Sequence, residues 1–110
     1  MNKYRNQKVY YNGAKIDSKK EARRLFQLKL LEKANEIEDL RTQVQFELQP
    51  SFEKNGKKYR AITYIADFVY YDNKLKRVVI EDTKGYKTEV YKLKKKLFEY
   101  KYPNVEIEEI

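Results

Sequence analysis

The chain contains no cysteine and no histidine. Without cysteine, neither a disulfide framework nor a cysteine-ligated zinc site can form. Without histidine, Ser-His-Asp and Cys-His catalysis are excluded, as is every histidine-ligated metal centre. Any metal must therefore be hard and oxygen-ligated, which favours Mg2+ or Mn2+. Long apolar runs are also missing: hydrophobic stretches last only a few residues, too short to span a bilayer. Met1-Asn2-Lys3-Tyr4-Arg5 lacks the apolar segment of a signal peptide. A soluble, cytoplasmic protein with no membrane partner is expected. No repeat, low-complexity tract or linker interrupts the 110 residues, so one domain covering residues 1–110 is expected.

Positive charge is abundant. Lys and Arg number 25 against 17 Asp and Glu, a formal net charge of +8. Such an excess favours a polyanionic partner, of which nucleic acid is the commonest. The distribution is uneven. Residues 1–29 are strongly basic, residues 84–101 hold seven lysines against Glu89 and Glu99, and the last nine residues carry Glu106, Glu108 and Glu109. Two basic segments flanking an acidic cluster suit a groove that tracks phosphates around a metal. Lysine-rich solubilisation explains the same composition, and composition alone does not separate the two.

Val9 to Ile16 reads as a hairpin, because Asn12-Gly13 supplies the positive φ angles of a type I′ turn. Apolar spacing and start signals predict a helix from about Ser18 to Asn35. Leu40 to Leu48 alternates in the manner of a half-buried strand ended by Pro50. Asn55-Gly56 marks a tight turn before a strand over Ile62–Tyr71, and Asp72-Asn73-Lys74 turns into a strand over Arg77–Lys84. A helix is expected from Thr88 to about Tyr100, with Val90, Leu93, Leu97 and Tyr100 at core spacing. Pro103-Asn104 breaks it before a short strand over Val105–Ile107.

Asp67 lies on the first of these central strands, and Asp82-Thr83-Lys84 ends the second, fifteen residues after Asp67. Side chains two apart on a strand share a face, which puts Asp82 and Lys84 on one side about 7 Å apart. Pairing of the two strands would bring Asp67 alongside. Two carboxylates and an ammonium converging at a strand end suit a divalent-metal site for phosphodiester cleavage, with Lys84 steadying water or transition-state charge. Asp67, set among apolar residues, needs a cation or donors in any case, and an ion pair with Lys84 or Arg60 is the plainer explanation. Glu81 rivals Asp82 but points to the other face, where a surface or supporting charge would suffice. Gly85 lets the chain turn and a phosphate approach closely, or simply ends the strand.

The order is hairpin, helix, three strands, helix, strand. With Asp67 on the second core strand and Asp82-x-Lys84 on the third, the chain resembles the PD-(D/E)XK nuclease superfamily, which includes restriction endonucleases and Holliday-junction resolvases. More closely, it resembles a group of small, mostly phage-borne proteins assigned to that superfamily. The matching stretches are Ile16 to Arg24, Ala66 to Tyr70, Glu81 to Gly85 and Tyr91 to Phe98, with Ala66 in place of the superfamily's loosely kept proline. The resemblance implies an α/β (α+β) domain with a restriction-endonuclease-like αβββαβ core, a mixed central sheet flanked by helices, and here an N-terminal hairpin. It also implies a metal role for Glu21 on the first helix and for the backbone carbonyl of Thr83. From the residues themselves, Ser18-Lys19-Lys20-Glu21 is equally a capping box, although Glu21 shares a helix side with Leu25 and Leu28.

The resulting expectation is a Mg2+-dependent endonuclease, with Mn2+ able to substitute. Glu21, Asp67, Asp82 and Lys84 are the expected catalytic residues, and Glu21, Asp67, Asp82 and Thr83 the expected metal ligands. Phosphate contacts are expected from Lys20, Arg24, Lys87, Lys92, Lys95 and Lys96, and from the backbone at Gly85. Tyr86 and Tyr91 could stack on unpaired bases. A solvated helix face explains any single lysine, and core or sheet positions must explain most of the 11 tyrosines. Gln43 and Gln45 share a strand face and could line the cleft. No separate domain is available to read bases, so DNA structure is the expected target. A Holliday junction comes first by analogy with small resolvases, and a homodimer follows because paired cuts need two sites. A nuclease-fold DNA-binding module that no longer cleaves, or an interaction protein of a phage replication or packaging assembly, would carry much of the same sequence. If phage-encoded, the protein would act in the host cytoplasm.

Overall fold

Helix-favouring residues crowd Lys19–Lys33, a run without glycine, proline or a β-branched side chain. In the computed structural model, which describes residues 9–11, 14–16, 19–83 and 86–110, this run forms the first helix. Before it come β1 (Val9–Tyr11) and β2 (Ala14–Ile16), paired antiparallel as the expected hairpin. Helix α1 (Lys19–Lys33) ends in a Schellman arrangement. Asn35 takes φ +62°, its N–H donates to the Glu32 carbonyl, and the Glu36 N–H reaches the Leu31 carbonyl. Ser18, the expected cap, lies outside the described residues.

The central sheet is built from β3 (Ile37–Gln49), β6 (Ile62–Asp72), β7 (Arg77–Asp82) and β8 (Ile107–Glu109), in that spatial order. The first two pairings are antiparallel and the β7–β8 pairing is parallel, which makes the sheet mixed. Between β3 and β6 the chain extends into a small separate ribbon, β4 (Phe52–Lys54) and β5 (Lys57–Tyr59), joined by the expected Asn55-Gly56 turn. Helix α2 (Glu89–Lys101) precedes β8; its cap is Thr88, whose hydroxyl accepts from the Tyr91 N–H at 3.0 Å. The core order α-β-β-β-α-β is the one expected. Strand β3 starts three residues earlier than its alternation suggested, and the final strand starts at Ile107 rather than Val105.

One apolar cluster lies under each helix. Leu25 and Leu28 of α1 pack with Ile37, Phe68, Tyr70 and Val79, whereas Tyr91 and Phe98 of α2 pack with Leu48, Tyr64, Ala66, Ile80 and Ile107. Strand β7 feeds both clusters through the neighbours Val79 and Ile80, as a strand covered on both faces must. Along β6, Tyr64 and Ala66 join the α2 cluster but Phe68 joins the α1 cluster, although all three have the same parity. The strand therefore changes faces near Asp67. Directly across, Gln43 of β3 stands between the pairs Thr42–Phe68 and Val44–Ala66 and takes φ +52°.

The inward face of α2 differs from the expected one. Val90, Leu93 and Tyr100 are exposed and Leu97 is half-buried, while Tyr91 and Phe98 are buried. Two apolar stripes compete on this helix, and aromatic packing decides between them. Phe98 sits edge-on to Phe46 at 5.2 Å and to Tyr64 at 5.6 Å, an arrangement that adds to its area burial. No helix among the described residues is long and apolar enough to cross a membrane. Replacement Phe98→Ala is expected to lower unfolding free energy by about 3–5 kcal/mol, against less than about 0.5 kcal/mol for Leu93→Ala. Urea denaturation followed by circular dichroism checks both values.

Candidate functional site

Strand β7 carries two adjacent carboxylates, Glu81 and Asp82, which are 1% and 0% exposed. Alternation along the strand sends them to opposite faces. On the α1 side, Arg24 holds Glu81 in a bidentate pair, Nε to Oε1 at 2.7 Å and Nη2 to Oε2 at 2.6 Å. The Tyr70 hydroxyl also donates to Glu81. The remaining guanidinium nitrogen of Arg24, Nη1, donates to Gln27 Oε1 at 3.0 Å. Hydrogen bonding to Glu81 raises the Arg24 pKa against the opposing effect of burial. Burial, and then the bond to Glu81, pushes the Tyr70 phenol well above its usual range. Two expectations are decided here. Of the two roles expected for Glu81, the buried supporting charge is the one seen rather than the surface charge, and Arg24, expected on phosphates, is engaged with Glu81 and Gln27. A carboxylate this deep in the sheet needs such a partner.

On the α2 side, Tyr64 donates its hydroxyl to Asp82 Oδ2 at 2.5 Å. Burial first, and the Asp82 bond second, drive the Tyr64 pKa far upward and keep the phenol a donor. The β6–β7 ladder ends at the pair Phe68–Glu81, and the next residue on each strand is an aspartate, Asp67 and Asp82. Asp67 is half-buried, and its Oδ2 accepts both the Thr83 N–H and the Thr83 hydroxyl at 2.8 Å each. Thr83 is thus placed beside both carboxylates. Its donors, rather than Arg60, answer the need of Asp67 for partners. Lys84 and Gly85 lie outside the described residues, so their expected places beside this pair are not described.

Glu21 is buried with Leu25 and Leu28 on the inner side of α1, as its spacing predicted. Its Oε2 accepts from Gln43 Nε2 at 2.7 Å. Gln43 is the left-handed residue opposite Asp67, and the bent backbone there turns its amide toward α1. An uncommon φ of this kind in a long polar residue costs on the order of 1 kcal/mol and must be held by its surroundings. Gln45, its partner in the expected cleft wall, is exposed. The polar side chains thus bond in separate sets: Gln43 of β3 to Glu21 of α1, Thr83 just past β7 to Asp67 of β6, and Tyr64 of β6 to Asp82 of β7.

The lysines expected on phosphates divide into two groups. Lys20 and Lys96 are exposed, and Tyr86 is 83% exposed. Lys92 pairs with Glu89 at 3.2 Å. Lys87 and Lys95 instead converge on Glu109 of β8, at 2.8 and 3.4 Å. Tyr91, expected to stack on bases, is buried and donates its hydroxyl to Glu109 Oε2 at 2.7 Å. Because β8 runs parallel to β7 with Asp82 beside Glu109, three acids (Asp67, Asp82, Glu109) stand in a row across three strands. Lys87, Tyr91 and Lys95 together hold the Glu109 carboxyl down to about 2, the Lys87 contact contributing most. Glu109 was missed in the sequence because its place depends on the parallel register. The available signal was its spacing of two from Ile107, which puts both on one face.

Among the described residues, no three acidic side chains are gathered closely enough to hold a metal by themselves. The donor chemistry nonetheless suits Mg2+, which takes one or two carboxylates and fills its remaining positions with water and substrate phosphate. Asp67 and Asp82 supply that pair.

Fold and site define an α+β domain whose mixed sheet, flanked by two helices, carries acids across its central strands. The chain belongs to the DUF1064 family, described as a protein of unknown function, whose profile matches residues 1–110. No curated protein and no solved structure matches it.

Removing one donor from the buried pair tests the network. Tyr64→Phe is expected to cost about 1–3 kcal/mol of stability, because Asp82 loses a hydroxyl it cannot replace with bulk water; thermal and urea unfolding measure it. Glu109 makes a pH-dependent contribution. Its folded pKa is about 2 against an ordinary 4.5, so its stabilisation is present above pH 4.5 and is lost as pH falls toward 2. In Glu109→Gln, unfolding free energy is expected to fall less steeply across that window than in wild type.

Proposed function

We propose that this protein is a metal-dependent endonuclease hydrolysing DNA phosphodiester bonds, with branched DNA such as a Holliday junction as its first candidate substrate. The carrying observation is that Asp67 and Asp82 follow the last pair of the β6–β7 ladder on neighbouring strands, with Thr83 bonded to one and Tyr64 to the other. The resemblance to PD-(D/E)XK nucleases supports the same reading. In it, Asp67 and Asp82 hold Mg2+, with Glu21 and the Thr83 carbonyl as further oxygen donors. When bound, that ion supplies Lewis acidity to the phosphodiester and activates water for attack. Lys84, two residues beyond Asp82, is assigned to orienting that water or offsetting developing charge on phosphorus. Thr83 and Tyr64 are positioning residues: each holds one carboxylate in a fixed rotation. Phosphates are met by Lys20 and Lys96, and Lys87 and Lys95 are shared between DNA and Glu109. A homodimer and a host-cytoplasm location accompany this reading.

A second reading is a nuclease-fold module with the same fold and basic surface that binds DNA without cutting it. One assay separates the two. Labelled four-way-junction, duplex and single-stranded DNA are incubated with Mg2+ or Mn2+ and wild type, Asp82→Ala or Lys84→Ala. Metal-dependent cutting, strongest on the junction and lost in both variants, is expected. Binding to every substrate without cutting by wild type would establish the binding module instead. Gel filtration with and without junction DNA tests the dimer, which elution at monomer size in both conditions would exclude.

A further inference from the structure

The ribbon formed by β4 and β5 is a separate two-stranded sheet among the described residues. Every residue from Pro50 to Arg60 is exposed, and the ribbon is not hydrogen-bonded into the central sheet. Its order comes from within. Asn55 and Gly56 take φ +52° and +77° in a two-residue turn, and the cross-strand pair Phe52 and Tyr59 stacks with ring centroids 4.7 Å apart and an interplanar angle of 10°. The Lys57 ammonium lies 5.1 Å over the Tyr59 ring. These contacts stiffen a short projecting arm without any help from the core.

The arm is also cationic in an unusual way. It bears Lys54, Lys57, Lys58 and Arg60 against one carboxylate, Glu53. Register places Lys54 directly opposite Lys57, so two ammoniums share one face at the tip, beyond the aromatic pair. Like charges at directly opposed positions destabilise a ribbon. Glu53 lies on the other face of the ribbon, opposite Lys58 in the register, so it does not stand beside them. None of these four cations forms an ion pair with a described residue, whereas Lys87, Lys92 and Lys95 all do. An exposed, stiffened element that keeps its cations unneutralised fits an external polyanion.

We infer that the β4–β5 ribbon is a DNA-binding arm that enters a groove of duplex DNA, with Lys54, Lys57, Lys58 and Arg60 contacting its phosphates; this rests on the DNA reading above. The dimensions agree. Two strands lie about 4.8 Å apart and three residues rise about 10 Å, while a major groove about 12 Å wide and 8.5 Å deep admits a two-stranded ribbon. The aromatic pair gives the arm rigidity, so little ordering entropy is lost on docking. The contacts are to backbone phosphates, which position DNA relative to the sheet without reading its sequence.

The test is fluorescence anisotropy of a labelled 30-base-pair duplex with the full chain. EDTA is present so that no cutting occurs, and NaCl is titrated from 50 to 200 mM. The variant is Lys54→Ala/Lys57→Ala/Lys58→Ala, compared with wild type and with Lys20→Ala. Each lost phosphate contact lowers the slope of log K against log salt by about 0.9, so the triple variant is expected to lose about 2–3 units of slope. Its affinity at 50 mM salt is expected to fall at least about tenfold. Its melting temperature without DNA should match or exceed that of wild type, since the opposed lysines are gone. An unchanged slope in a variant that binds as tightly as wild type would overturn the arm alone and leave the DNA reading in place. No binding by wild type at any salt would overturn both.

Discussion

Burying a carboxylate in a strand covered on both faces costs several kcal/mol unless donors meet it there. Strand β7 buries two in succession, and the molecule is arranged around meeting them. Glu81 draws Arg24 and Tyr70, which ties α1 to the sheet through two short hydrogen bonds from one guanidinium. Asp82 draws Tyr64 on the other face, where Tyr64 also packs against Phe98 of α2. Each helix is therefore fixed to its own face near one of the two acids. Apolar packing contributes most of the stability, but these polar contacts determine which way the helices sit. Burial first, and these contacts second, push the Tyr64 and Tyr70 phenols above their usual range, which favours their role as donors.

The face change in β3 and β6 is the second organising feature. Regular alternation would carry Phe68 to the same side as Tyr64 and Ala66. Instead the sheet turns over near Asp67, and Gln43 absorbs the change by adopting φ +52°. Gln43, across from Asp67, donates its amide to Glu21 of α1, while Asp67 accepts from Thr83. A strained backbone supporting polar groups at a sheet irregularity is the arrangement found where proteins place chemistry. Here it leaves Asp67 half-exposed while Asp82 beside it is fully buried.

Charge is divided according to whether it is answered internally. On the α2–β8 side, Glu109 gathers Lys87 and Lys95 and completes a line of acids begun by Asp67 and Asp82. At the opposite extreme, the cations of the β4–β5 ribbon are exposed and form no ion pair with a described residue. A net charge of +8 does not distinguish these situations; three-dimensional pairing does.

Local physics made much of this legible in the chain. Asn-Gly turns, the glycine-free run of α1 and the alternation of β6 and β7 each act within a few residues, so the order of elements and the adjacency of Asp67 and Asp82 follow from sequence. Glu21 facing inward followed from its spacing to Leu25 and Leu28. What the tertiary structure decided were competitions between near-equal local choices. Helix α2 has two apolar stripes, and only the aromatic cage of Phe46, Tyr64 and Tyr102 selects Tyr91 and Phe98 over Val90 and Leu93. Arg24 could reach solvent or Glu81, and the buried carboxylate wins because its desolvation must be offset. Glu109 joins the site only through a parallel register set twenty-seven residues away in the chain. Such choices depend on partners remote in sequence, and no periodicity records them.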